Sequence, residues 1–246
     1  MSGLLVVLPA LVPETTDACV ASILRPDSSF GIPPADVLIV DNSRDGFAEK
    51  YQADGFRYWR QPEPPYQLGV ARSWNVGARA MLEEDRDYLV LLSASMEFGP
   101  LLHCSFRWQV EQFWGAKVVE ADGHSWHLIA LHRSCFERVG LFDECFYPAY
   151  VEAIDWCYRL RMVGWEQGWV RVWVNALSRG VAAHNHLVAC PAGPLLDYYA
   201  AKWGGPKGEE TWVQPFGSKP LDYWESTPIP VLAERYGLGD EGEGWW

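Results

Sequence analysis

The sequence predicts an α/β domain with a mainly parallel central sheet and flanking helices. Three observations carry this. Short apolar segments of strand length recur at Leu4–Leu8, in the VLIV of Asp36–Val40, and at Tyr88–Leu92. Segments with helical periodicity alternate with them, which implies right-handed βαβ crossovers. Each of these apolar runs also gives way to proline or to polar, turn-forming residues.

Leu4–Leu8 stops at Pro9, and Thr15–Leu24 follows as a helix with Ala18, Val20, Ala21 and Leu24 on its apolar side. Asp36–Val40 runs into Asp41-Asn42-Ser43-Arg44-Asp45-Gly46. That is the carboxyl end of a buried strand, where α/β proteins place functional loops. Phe56–Trp59 is a weaker strand, and Val70–Leu82 is a helix with Val70, Trp74, Gly77, Ala78 and Met81 at helical spacing. Tyr88–Leu92 leads into Ser93-Ala94-Ser95-Met96-Glu97. From residue 100 the rhythm is mixed: strands are expected at Ala116–Glu120, Trp126–Leu131, Trp169–Val174 and Arg179–Ala183, and helices at Ser134–Val139 and Val151–Val163. Beyond Pro191 the chain is rich in Pro, Gly and aromatics and ends in GDEGEGWW, read as an extended arm and an acidic tail.

Composition narrows the function classes. With 49% hydrophobic and 21% charged residues in 246, the chain reads as one globular domain plus a tail. No apolar run approaches the roughly 20 residues of a membrane helix. The N-terminus has neither a positive n-region nor a small-residue cleavage site, so a cytoplasmic location and no membrane partner are expected. A formal charge of −12 opposes a role in coating nucleic acid, because phosphate binding is chiefly electrostatic. The six cysteines show no CxxC spacing and read as reduced thiols.

Four places carry possible chemistry. Asp41 is placed to accept a hydrogen bond from a nucleobase, or simply to close an Asx-turn. In QLGVARSWNVGARA, residues 67–80, Gly69 permits a tight helix entry, and Arg72 and Asn75 follow at helical spacing; this makes either a diphosphate site or a surface arginine paired with nearby acids. Glu152 and Asp155 stand three apart on one side of a helix's first turn, as a base and its orienting partner, or as charges complementing the helix dipole and pairing with Arg159. In His184-Asn185-His186 at most one ring faces a cleft, as a metal or phosphate ligand; His124, His127 and His132 carry weaker claims.

In this order and at these gaps, the segments resemble the family 2-like glycosyltransferases of the GT-A fold over roughly residues 4–186. Residues 198–216 further resemble the tails of glycosyltransferases encoded by actinobacterial phages, which would put the protein in a host cytoplasm. The resemblance implies a GT-A domain at 1–190, with a nucleotide-sugar half at 1–98 and an acceptor and catalytic half at 99–190, then the arm and tail at 191–246. It implies a donor site of Pro9, Asp41, Asn42, Gly69, Arg72, Asn75, Ser93, Ser95 and Lys202 holding a nucleoside-diphosphate sugar, a UDP-sugar foremost. The acceptor, a hydroxyl of a glycan, a protein or a modified DNA base, would enter near Trp126 and Tyr147. A hexosyl or pentosyl unit would move, with inversion expected. The family's Asp-x-Asp-like metal signature stands here as Ser93-Ala94-Ser95, leaving Glu97, His184 and His186 as candidate ligands for Mn or Mg. The family's Glu-Asp-x-Asp reads Glu152-Ala153-Ile154-Asp155, so the usual base is absent. Either Glu152 or Asp155 takes its place, or the protein is a catalytically silent nucleotide-sugar-binding module.

Overall fold

The computed structural model describes residues 3–63, 67–178 and 192–238. The first half builds β1 (Leu4–Ala10), α1 (Pro13–Leu24), β2 (Val37–Asp41), β3 (Arg57–Arg60), α2 (Gly69–Glu83), β4 (Tyr88–Leu92) and β5 (Met96–Phe98). The second half adds α3 (Phe106–Gln112), β6 (Val118–Ala121), β7 (Leu128–His132), α4 (Arg133–Val139), α5 (Glu152–Met162), β8 (Trp169–Val172) and β9 (Ala176–Ser178). Two further helices follow, α6 (Ala192–Trp203) and α7 (Ile229–Arg235).

Seven strands form one sheet in the order β3-β2-β1-β4-β7-β6-β8. The β1–β2, β2–β3, β1–β4 and β6–β8 ladders are parallel, and β7 runs antiparallel to both of its neighbours. The expected mainly parallel sheet is therefore present. The chain moves outward from β1 to β2 and β3, then returns to place β4 on the other side of β1. Such a reversal leaves a crevice at the carboxyl ends of the strands, where ligands of α/β proteins bind.

Alternation along β1 divides the core. Leu5 and Val7 face a cluster with Leu38, Val40, Leu89 and Leu91 under α2, α4 and α5, whereas Leu4, Val6 and Leu8 face one with Val20, Ile23, Val37 and Ile39 under α1. Gly77 of α2 is required by this packing, since a Cβ there would stand 2.5 Å from the Cβ of Val7.

The C-terminal segment differs from the extended arm expected of it. Leu195, Tyr199 and Trp203 of α6 and Leu232 of α7 are fully buried in the same core cluster as α2 and α5. Pro and Gly punctuate this segment without preventing an apolar helical face, because they fall mainly at its turns. The β5–β9 ladder falls outside the expected strands, and the expected strand Arg179–Ala183 lies outside the described residues.

Candidate active site

The carboxyl ends of β1, β2 and β4 and the amino end of the antiparallel β7 open onto a cavity of about 730 Å³. Pro9, Asn42, Gly69, Ser93, Ser95, Trp126 and Glu152 all line it, so residues far apart in the chain and singled out from the sequence meet in one place.

Glu152 is the first residue of α5 and 3% exposed. Burial pushes its carboxyl up to about 8, against a smaller opposing effect from hydrogen bonds of the Glu152, Tyr150 and Val151 backbone. Its Oε2 has no hydrogen-bond partner among the described residues. A buried carboxylate whose proton is held near neutrality has the character of a general base.

Asp155 does not join it. Its Oδ2 accepts from Arg159 Nε at 3.0 Å, and its Oδ1 lies 2.8 Å from Lys202 Nζ and accepts from Trp203 Nε1 at 2.9 Å. Lys202 also reaches Asp143 Oδ2 at 2.6 Å, and the Asp155, Arg159 and Lys202 side chains are wholly buried. The carboxyl of Asp155 is held below its usual range by Lys202 and Arg159, which together outweigh its burial. At about 100° per residue, Ala153, Ile154, Cys157, Tyr158 and Arg161 form the cavity face of α5, and Asp155 and Arg159 point away from it. Glu152 reaches the cavity because it opens the helix. The Lys202 expectation is corrected with that of Asp155: both are core ion-pair members, and the lysine that lines the cavity is Lys207.

Three donor expectations change in the same way. Asp41 is fully buried, its oxygens accepting from the Ser43 amide at 2.8 Å and the Ala48 amide at 3.0 Å, which is the Asx-turn alternative. Arg72 turns from the cavity to the Thr227 carbonyl and to Glu144, 3.4 Å away. Asn75 is buried between Phe142, whose amide and carbonyl it engages at 2.9 Å each, and Glu144. The leading amides of α2 are also taken, Leu68 by Asn42 Oδ1 at 3.0 Å and Val70 by the Pro148 carbonyl at 2.8 Å. Asn42 thus lines the cavity chiefly as a brace between β2 and α2.

Of the two residues expected to meet an acceptor, Trp126 stacks on Trp74 with ring centroids 5.7 Å apart and holds a left-handed φ of 61°, a strained backbone of the kind found at binding sites. Tyr147 is buried against Gly69, and its neighbour Tyr150, 44% exposed, lines the cavity in its place. Glu97 lies on β5 and is not a lining residue, while His184 and His186 fall outside the described residues. Sequence reasoning gave His127 too little weight. Its Nδ1 is 3.3 Å from Ser95 Oγ, which is 2.8 Å from Ser93 Oγ. Register is the signal that locates it, since Leu128 pairs with Leu92 and so brings the two strand ends together. Tyr199 and Glu210, from the segment read as an arm, also line the cavity and share a 2.6 Å hydrogen bond.

No family description and no curated protein matches the chain. Solved structures do. Glucosyl-3-phosphoglycerate synthase from Mycobacterium tuberculosis, in complex with Mn2+, UDP-glucose and phosphoglyceric acid, matches with a TM-score of 0.59 at 15% identity, over 84% of this chain and 81% of its own. The mannosyltransferase PcManGT from Pyrobaculum calidifontis, in complex with GDP-Man and Mn2+, matches at 0.57 and 16% identity, over 97% and 70%. The chain has the GT-A fold. At this identity the match shows the architecture alone, and it lends no support to a phage origin. The chain also matches S. aureus TarS 1–349 in complex with UDP, spanning 55% of that chain at 13% identity, but the TM-score of 0.48 carries no argument.

The synthase and the mannosyltransferase structures both contain Mn2+. The described residues do not fit such an ion. Its β4 terminus offers two hydroxyls and an imidazole, whereas a hard cation takes carboxylate and carbonyl oxygens. Among the described residues no group of three His, Cys, Asp or Glu side chains is placed to hold a metal. No described helix is long and apolar enough to cross a membrane.

Proposed function

We propose that this chain transfers a glycosyl unit from a nucleoside-diphosphate sugar, a UDP-sugar foremost, to a hydroxyl acceptor, with Glu152 as the general base. The observation that carries the proposal is the Glu152 carboxyl on the cavity wall, buried and held near neutrality at the strand ends of a GT-A fold. The nucleotide lies against Pro9, Asn42, Gly69, Ser93 and Ser95, in the 1–98 half. The acceptor enters over Trp126 and Tyr150, in the 99–190 half, with the segment beyond 191 closing the far side through Tyr199 and Glu210.

In the transfer step the acceptor O–H proton passes to Glu152, and the acceptor oxygen attacks the anomeric carbon. The bond from that carbon to the diphosphate oxygen breaks, and the nucleoside diphosphate leaves with the electron pair. Direct displacement by one base-activated hydroxyl inverts the anomeric centre. The other described acid on the cavity wall, Glu210, accepts from the Tyr199 hydroxyl and the Gly208 amide at 2.6 and 2.9 Å.

The competing reading is a nucleotide-sugar-binding module without turnover, favoured by Ala153, which lines the cavity where the resembling family carries its base. Calorimetric titration with UDP, GDP and their sugar conjugates, followed by a donor-hydrolysis assay, tests both. Binding with hydrolysis that is lost in Glu152→Gln supports transfer; binding without hydrolysis supports the module; no binding of any nucleotide removes both.

A further inference from the structure

Ser93, Ser95 and His127 form a polar cluster on the cavity wall, where β4 ends and β7 begins. The backbone holds the cluster in place. The Ser93 amide donates to the His127 carbonyl at 2.8 Å, and the Met96 amide returns to the Ser93 carbonyl at 3.1 Å. The hydroxyls of Ser93 and Ser95 are 2.8 Å apart, and Ser95 Oγ is 3.3 Å from His127 Nδ1. When His127 Nδ1–H and the Ser93 hydroxyl both donate to Ser95 Oγ, the Ser95 hydroxyl hydrogen is left for a further acceptor. Glu152 and Glu210 are the described acids that line the cavity, and neither belongs to this cluster.

Resting on the glycosyltransferase reading, we infer that this chain holds the donor diphosphate without a divalent cation, through the hydroxyl of Ser95 oriented by Ser93 and His127. Carboxylates at the β4 terminus would repel a diphosphate unless a cation stood between them. A hydroxyl there carries no such penalty, and Ser95, accepting from Ser93 and His127, donates its own hydrogen directly to a phosphate oxygen. The chemistry that calls for a metal has been replaced by chemistry that does not.

The test is calorimetric titration of UDP and GDP in EDTA and again in excess Mn2+, with the wild type and with Ser95→Ala, Ser95→Thr and Ser95→Asp. The wild type is expected to bind one of the two nucleotides with affinities in the two buffers that agree within about threefold. Ser95→Ala should weaken binding about tenfold or more, as loss of a hydrogen bond to a charged group does, and Ser95→Thr should restore it. Ser95→Asp should bind poorly in EDTA and recover with Mn2+. Wild-type binding that requires Mn2+, or Ser95→Ala binding as tightly as the wild type, overturns the inference and leaves the transferase reading standing. Absence of binding by either nucleotide in both buffers removes the transferase reading itself.

Discussion

Lys202 Nζ stands 2.8 Å from Asp155 Oδ1 in the wholly buried layer between α5 and α6. This contact fastens the C-terminal segment to the helix that carries Glu152, and Asp143, 2.6 Å from the same ammonium, extends it to the loop before α5. Removing the cation from such a network leaves the buried Asp143 without its cationic partner and Asp155 with Arg159 alone. Lys202→Met is therefore expected to cost about 3–5 kcal/mol of stability, measured by chemical denaturation, a loss typical of breaking a buried ion pair. Because the Asp155 carboxyl is held below its ordinary value, its contribution is present above that value and is lost as pH falls through the folded one, so the wild type should lose this support in acid.

Glu152 behaves in the opposite sense. Its carboxyl is raised from the usual 4.5 to about 8, so the folded protein keeps a proton that the unfolded chain releases. Stability should fall as pH rises from 4.5 towards 8, by up to about 1.4 kcal/mol per pH unit. Glu152→Gln should flatten that dependence in a series of thermal melts. Turnover needs the ionised base, so wild-type rates should climb about tenfold per pH unit below 8 and level off above it.

Gly69 holds a φ of +75°, and a Cβ there would stand 2.8 Å from both the Pro148 carbonyl and the Tyr147 ring. Gly69→Ala should destabilise the fold by about 1–2 kcal/mol from the left-handed backbone alone. The clash also presses on residues 148–150, which line the cavity, so KM for the donor or acceptor should rise in steady-state assays.

Arg72 looks from the sequence like a diphosphate ligand, yet it ties α2 to the Thr227 carbonyl and to Glu144. Arg72→Ala is expected to lower stability by about 1.5–3 kcal/mol, the range for hydrogen bonds to charged groups, and to leave nucleotide affinity within about threefold of wild type. A selective loss of affinity at unchanged Tm would reinstate the donor role.

The sheet was legible because its strands are continuous apolar runs: Tyr88–Leu92 matches β4 end for end, and the other expected strands that are described lie within a few residues of the observed ones. The cavity was legible in part, since Pro9, Asn42, Gly69, Ser93, Ser95, Trp126 and Glu152 lie at or near strand ends or open helices, positions that local pattern reveals. The roles of Asp155, Lys202, Asp41 and Arg72 were not. Each sits at a spacing compatible with a site, but whether a charged side chain faces a cavity or a buried partner depends on α6 and on Glu144, which are distant in sequence. The C-terminal helices escaped notice because their apolar residues are interspersed with Gly and Pro, and the burial of Tyr199 and Trp203 is a tertiary fact.

The most direct measurement is single-turnover hydrolysis or transfer from the nucleotide sugar that binds in calorimetry, comparing the wild type with Glu152→Gln. A loss of about 10²–10⁴-fold in rate with donor affinity unchanged is the predicted result, the range for removing a positioned base. Equal rates in the two proteins, at equal donor affinity, would contradict the assignment of Glu152 and with it the account of how this cavity works.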